Sequence, residues 1–285
     1  MDSVRQLAPA QQASPFESAP APDAGRWQQV LAAGSHVPLL VAQFAPISLR
    51  ALEDAALLDR VDIKYVMAAS RLYAFLAALQ DHYRILEIAK RRLHRYQTLY
   101  YDTAEMGLYH LHHNGARVRA KVRSRRYADT GQAFLEVKIR ESANRTTKYR
   151  LPVHGLPETL GPQMLGFARE HVRRPLPSLE PKIANAFYRL TLAHIKRPER
   201  VTIDLGLRMW GQIGSVALPG VAVIEIKQPE MARDSTARET LRAMGCRPSS
   251  FSKYCLGVTT LYSSVKHNTF QPETRMLRTL TGESL

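Results

Sequence analysis

The sequence predicts an α+β fold: a closed antiparallel β-barrel with an ionic lumen and helices packed on the outside. Three observations predict it. Strand-like segments recur along the 285 residues, and each sets an apolar face against an ionic one. One of them, RVRAKVRSRRY, places Arg117, Arg119, Lys121, Arg123, Arg125 and Tyr127 on a single face. It would run about 36 Å at ~3.3 Å per residue, enough to traverse a barrel. Amphipathic helical patterns lie between the strands and supply cover for the apolar faces. A flat sheet with one wet face accounts for the same alternation; eight or so strands closed on themselves would instead enclose a ligand-sized lumen.

The elements follow in order. Residues 1–25, rich in Ala, Pro, Ser and Gln, are expected to be disordered, and the first 46 residues to be poorly structured. Ser48 is an N-cap candidate for the helix LRALEDAALLD, and RVDIKYVM (60–67) alternates as a strand. Ser70 is expected to cap RLYAFLAALQDHY, and RYQTLYYDT (95–103) reads as a strand rich in Tyr and Thr. Turns at Asn114-Gly115 and Asp129-Thr130-Gly131 bracket the basic strand. AFLEVKIRE follows, broken at Asn144, and RTTKYRL completes a three-stranded meander. Residues 156–173 read as helix and RRPLPSLEP as a link to the strands NAFYRLTLAHI and RVTIDLGLRMW. VAVIEIKQ is a strand stopped by Pro229, DSTARETLRAMG a helix ended by Gly245, and SFSKYCLGVTTLY a last helix. The folded domain is expected over 47–262, with 263–285 as a tail.

In each strand the ionic positions share a face. Asp62 and Lys64 oppose Val61 and Ile63; Glu136, Lys138 and Arg140 oppose Leu135, Val137 and Ile139. Arg200, Thr202 and Asp204 oppose Val201, Ile203 and Leu205; Glu225 and Lys227 oppose Ile224 and Ile226. Thr146, Lys148 and Arg150 also share a face, whereas Arg126 breaks the alternation and is expected to point outward.

The net charge is +15 and the pI about 10.1. Residues 117–150 alone hold eleven Lys/Arg against three acids, whereas residues 1–59 carry a net −3. The positive field therefore sits in strands and not in a basic tail, which points to a polyanionic partner. Cys246 and Cys255 are too few for a disulfide framework, so reduced thiols and a cytoplasmic location are expected. The N-terminus lacks a signal-peptide pattern and no stretch reaches the ~20 apolar residues of a membrane span. Export of any product would then require a separate membrane protein.

Same-face neighbours on a strand lie only ~6.6 Å apart, so a run of cations repels itself unless an anion neutralises it. Extended polyphosphate or a nucleoside triphosphate supplies charge at that interval, and arginine's forked donors suit phosphate oxygens. Base readout in a nucleic acid finds little support, because the basic face carries only Tyr127 for stacking; no nucleic-acid partner is expected.

The ordered set RVDIKY, TLYYDT, KVRSRRY, FLEVKIR, TTKYR, YRLTL, RVTIDLGL, VIEIK and SKYCLG resembles the VTC domain, over about residues 47–262. This is the catalytic domain of the vacuolar transporter chaperone complex, one of the triphosphate tunnel metalloenzymes. The resemblance implies a tunnel barrel that binds triphosphate or polyphosphate with a divalent metal, Mn²⁺ or Mg²⁺, and makes polyphosphate from ATP. It implies that Arg123, Arg125 and Arg189 grip the γ-phosphate and that Lys138 acts with them. It implies substrate contacts for Lys64, Lys148, Arg150, Arg200, Lys227, Ser252 and Lys253, and a metal on Glu225. Arg119 and Lys121 join the substrate set from the basic strand. Arg60 and Asp62 depart from the acidic first-strand motif of the wider superfamily, which weighs against a simple triphosphatase.

Plainer readings accompany these. Glu225 can pair with Lys227, and Lys253 can be a surface lysine. The run YHLHH (109–113) has no zinc spacing and no Cys near it, and nothing suggests a base for Cys255. The functions in play are a metal-dependent polyphosphate polymerase, a non-catalytic polyphosphate or nucleotide sensor, an inorganic triphosphatase and a nucleic-acid binder.

Overall fold

The computed structural model describes Phe16 and residues 35–54, 61–142, 146–172, 174–229 and 234–281. The expected disorder of residues 1–25 (Phe16 aside), the end of the first predicted helix, Arg60 and the break at Asn144 lie outside these residues.

Alternating sequence becomes a ten-stranded sheet. Its strands are β1 (Pro46–Ile47), β2 (Val61–Ala68), β3 (Tyr83–Leu86), β4 (His94–Asp102), β5 (Arg119–Tyr127), β6 (Ala133–Arg140), β7 (Thr146–Pro152), β8 (Glu180–His194), β9 (Arg200–Gly211) and β10 (Gly214–Gln228). The main ladder runs β2-β10-β9-β8-β4-β5-β6-β7, antiparallel throughout; β3 joins the free part of β8, and β1 pairs with β3 in parallel. The helices are α1 (Val37–Gln43), α2 (Leu49–Asp54), α3 (Leu72–Leu79), α4 (Gly107–His113), α5 (Pro162–Val172), α6 (Thr236–Ala243), α7 (Lys253–Leu261) and α8 (Gln271–Thr281).

Among the described residues the ladder ends at β2 and β7, which do not pair with each other, so the expected barrel is present as an open sheet. Part of the edge of β2 is occupied otherwise: the Ser249 amide donates to the Lys64 carbonyl at 2.8 Å. The sheet is nonetheless strongly curled. Six ladder steps separate β2 from β6, on the order of 29 Å if flat, yet Lys138 Nζ lies 3.8 Å from Asp62 Oδ2. The ionic positions fill the concave side.

The convex side is apolar and covered by helices. α1, α3 and α6 pack on Tyr65, Leu190, Val201, Ile203, Leu205 and Ile224. α5 lies with Leu108 of α4 on Leu99, Val122, Leu135 and Val137. Helices α7 and α8 instead occupy one end of the concave side, where Phe251, Leu256 and Leu277 meet Val66, Phe187 and Val223.

The helix boundaries follow their caps. Ser48 Oγ accepts from the Ala51 amide, Ser235 Oγ from Arg238 and Ser252 Oγ from Cys255. Ser70 caps nothing: it lies in a 3₁₀ turn over Ala69–Arg71, and α3 starts at Leu72 without a side-chain cap. Of the predicted 156–173 helix, Pro162–Val172 is helical among the described residues, with Pro162 as its first residue. The basic strand begins at Arg119, so Arg117 lies before it and is exposed. Both predicted terminal segments contain structure. Val37, Leu40 and Val41 of α1 are buried, as is Leu277 of α8. No helix among the described residues is long and apolar enough to cross a membrane.

The seat of α7 is tight. A Cβ added at Gly257 would stand 2.7 Å from Ile183 Cγ2. Gly257→Val should therefore lower the urea midpoint, at a cost of about 1–3 kcal/mol from overpacking. An unchanged midpoint would mean that α7 does not pack on β8 as described.

Candidate functional site

Register turns the one-dimensional charge pattern into rows across the concave face. Arg123 of β5 stands opposite Glu136 of β6, which stands opposite Arg150 of β7. The next row is Lys121–Lys138–Lys148, and beyond it Arg119 faces Arg140. In the other direction lie Arg125 with Thr98 and Asn185, and then an aromatic row of Tyr127, Tyr96 and Phe187. Across the curl, Glu225 faces Lys64 and Thr202, Lys227 faces Asp62, and Arg189 faces Asp204.

Two buried carboxylates organise the cations. Glu136, 1% exposed, accepts from Arg123 Nε and Nη2 at 2.9 and 2.7 Å and from Arg150 Nε at 2.9 Å, with Lys148 Nζ at 3.8 Å. Burial alone would raise its pKa; Arg123, Arg125 and Lys148 outweigh that and hold it far below the usual carboxylate range. Asp204, 2% exposed, takes a bidentate fork from Arg189 at 2.6 and 2.8 Å and a further bond from Lys253. Against burial, these two cations bring its pKa down to about 2. Lys227 lies 2.9 Å from Glu225, the plainer pairing anticipated above. Lys227, Lys64 and Lys138 outweigh burial to hold the Glu225 carboxyl well below its ordinary value.

Apart from Arg119 and Arg140 near its end, ten cations gather on this face: Lys64, Lys121, Arg123, Arg125, Lys138, Lys148, Arg150, Arg189, Lys227 and Lys253. Four carboxylates accompany them, Asp62, Glu136, Asp204 and Glu225, which leaves an excess of six positive charges. Three of the cations have no ion-pair partner among the described residues. Lys64 Nζ donates to the Phe251 carbonyl at 3.0 Å and Lys121 Nζ to Ser252 Oγ at 2.8 Å. Arg125, only 8% exposed, meets Thr98 Oγ1 at 3.3 Å and the rings of Tyr96 and Phe187. The strain of the gathering is visible in its lysines. Burial, only partly offset by Glu136, brings Lys148 down to about 7; burial against Glu225 and Asp62 brings Lys138 down to about 8. Tyr100, whose hydroxyl accepts from Arg123 Nη1 at 3.1 Å, is pushed up by burial, but Arg123, Arg125, Lys121 and Lys253 pull it down to about 8.

The fold thus brings together most of the residues singled out from sequence. Lys253 is no surface lysine, being bound to Asp204. Arg200 stands apart, donating to the Leu52 carbonyl of α2, and Arg119 donates to the Ala116 carbonyl at 2.9 Å near the end of the face. Arg126 points outward and is exposed. Sequence reasoning missed Tyr100, the aromatic row and the anchoring roles of Glu136 and Asp204. Asp204 was visible on the ionic face of its strand, but its bond to Lys253 spans 49 residues. The His run lies on α4: His112 meets the Ala120 carbonyl, and His113 meets Asn114 and Asn268. Cys246 and Cys255 are both free.

No group of three or more His, Cys, Asp or Glu able to hold a metal occurs among the described residues. The donors are instead single carboxylates already paired with lysines. Such a set would suit a divalent cation that takes most of its ligands from phosphate oxygens and water and one from a carboxylate such as Glu225.

The family model of the VTC domain matches residues 59–262. The sequence matches none of the curated proteins searched. Among solved structures, a Hippeastrum protein studied as an adenylyl cyclase, with a dominant triphosphatase activity, is 15% identical, with 71% of this chain and 96% of that chain covered and a TM-score of 0.45. A Bacillus halodurans protein provisionally assigned as an adenylate cyclase is 11% identical, with 72% and 100% covered and a TM-score of 0.43. A conserved hypothetical protein from Pyrococcus furiosus is 12% identical, with 68% and 97% covered and a TM-score of 0.35.

Asp204→Asn leaves Arg189 and Lys253 buried without their counter-charge, and should cost about 3 kcal/mol of stability at pH 7. Because the native carboxyl titrates near 2, below the ~3.9 of an unfolded aspartate, its contribution is complete above that unfolded value. It is lost as the pH falls through 2, so the gap between wild type and variant should narrow in acid. Denaturation curves at pH 7 and pH 2.5 check this, and a gap that stays constant would remove the charge as its source.

Proposed function

This chain belongs to the VTC domain family, and we propose that it is a polyphosphate polymerase. It would transfer the γ-phosphoryl group of ATP to phosphate or to the end of a growing polyphosphate chain. The observation that carries this reading is Arg125: a buried guanidinium on a strongly positive face, with no carboxylate partner among the described residues. A buried unpaired charge is costly unless a ligand completes it. The next row, Lys121–Lys138–Lys148, continues the same demand for negative charge.

Phosphoryl transfer asks for in-line placement and charge stabilisation more than for a nucleophilic side chain. Arg123 and Arg189, fixed by Glu136 and Asp204, hold their forks rigid, while Arg125 is free to take phosphate oxygens. The acceptor oxygen of the chain end forms the new bond to the γ-phosphorus, the bond to the β–γ bridging oxygen breaks, and ADP departs. A divalent cation at Glu225, when bound, supplies neutralisation of phosphate charge. Lys64, Lys121, Lys138 and Lys148 would hold the chain, with Arg150, Lys227, Ser252 and Lys253 lining its course. The reading includes closure of β2 and β7 around the polyanion into a tunnel, supported by the reach from Lys138 to Asp62, and a cytoplasmic supply of ATP.

Purified protein incubated with ATP and Mn²⁺ should produce long anionic polymer on a gel. Arg125→Ala should lower the rate at least a hundredfold, as removal of a transition-state donor does. Orthophosphate without polymer would replace this reading by a triphosphatase. Tight binding of polyphosphate with neither product would replace it by a sensor.

Affinity for inorganic triphosphate should fall as pH rises from 6.5 to 9. The cationic forms bind, and Lys148 and Lys138 lose their protons near 7 and 8. Calorimetry on Lys148→Arg should give a flatter profile, since guanidinium stays charged; a profile as steep as wild type would remove Lys148 from the site.

A further inference from the structure

We propose that Tyr127 and Phe134, with Tyr96 behind them, form a stacking site for the base of a nucleoside triphosphate at one end of the concave face. The inference rests on the reading above that phosphates are held at Arg123 and Arg125, and adds the part of the substrate that is not phosphate.

Three rings occupy directly opposed positions on adjacent strands: Phe187 on β8, Tyr96 on β4 and Tyr127 on β5. Tyr96 stacks on Phe187 with centroids 5.4 Å apart, meets Tyr127 edge-on at 5.1 Å, and Tyr127 meets Phe134 edge-on at 6.2 Å. Phe187 is buried, whereas Tyr96, Tyr127 and Phe134 keep part of their surface in solvent. Arg150 bridges the outer pair, its Cζ 5.4 Å from the Phe134 centroid and its Nη2 donating to the Tyr127 hydroxyl at 3.0 Å. Aromatic surface left accessible beside arginines on a phosphate-seeking face is the combination that holds a base by its π-face.

Distance and polarity fix the direction. Tyr127 lies two residues from Arg125 and four from Arg123 on the same strand, about 13 Å along it. That is comparable to the reach of an extended nucleoside triphosphate from terminal phosphorus to base. In the opposite direction β5, β6 and β7 offer Lys121, Lys138 and Lys148, then Arg119 and Arg140, with no ring among them. A nucleotide seated with its base on Tyr127 therefore points its γ-phosphate at the lysine row.

The test uses the full chain and two probes, ATP and inorganic triphosphate. Tyr127→Leu and Phe134→Leu keep apolar bulk but remove the π-face. Each should weaken ATP binding about tenfold while changing triphosphate binding less than twofold, and Tyr127→Trp should restore ATP. A triphosphate carrying 2-aminopurine should be quenched on binding to wild type and less so on binding to Tyr127→Leu, a readout that a packing defect would not produce. Equal loss for both probes, or no loss for either, overturns the stacking site. Wild-type protein that binds neither probe overturns the parent reading instead.

Discussion

The structure depends on holding a crowd of cations on one curled surface without letting them push it apart. Like charges at strand spacing repel, and partial burial limits their screening by solvent. The solution is two inaccessible carboxylates, Glu136 and Asp204, each shared among several cations. Each is a costly group to bury alone and a stabilising one in company. Between them they fix Arg123, Arg150, Arg189 and Lys253, the first three on strands of the ladder and the last on α7. The remaining imbalance is what a phosphate-rich ligand would meet.

The curl follows from unequal packing on the two sides. On the convex side, aliphatic residues of every long strand are buried under helices. On the concave side α7 and α8 cover one end, against Val66, Phe187 and Val223, and the middle of the face is ionic. The same helix that fills this end carries Ser252 and Lys253 at its start, so its packing and the electrostatics are one problem: Ser252 both caps α7 and receives the Lys121 ammonium.

Much of this was legible in the sequence because a strand has period two and charge has no place in a sheathed face. Alternation placed Lys64, Arg123, Lys138 and Glu225 each on the ionic face of its strand, and the turns marked the three-stranded meander. What was not legible was set by distant contacts. Asp204 reads as one more ionic-face residue until Lys253 arrives from another helix, and Tyr100 reads as strand composition until four cations surround it. The aromatic row was invisible for a related reason: its members come from three strands, and only Tyr127 lies on the basic one. The open ladder was equally out of reach, since nothing in the residues near 246–252 announces that Ser249 will take a place beside β2.

The terminal strand β7 has a consequence for the molecule's behaviour in a crowd. An uncovered strand edge invites another chain to add to it and seed fibrils. On β7 the residues Thr146, Lys148 and Arg150 are exposed in alternation, and Pro152 closes the strand. These polar side chains and a residue without an amide hydrogen make that border a poor template for a second copy. Under the proposed function, the lysine and arginine that would meet a polyanion would also disfavour pairing with a second copy.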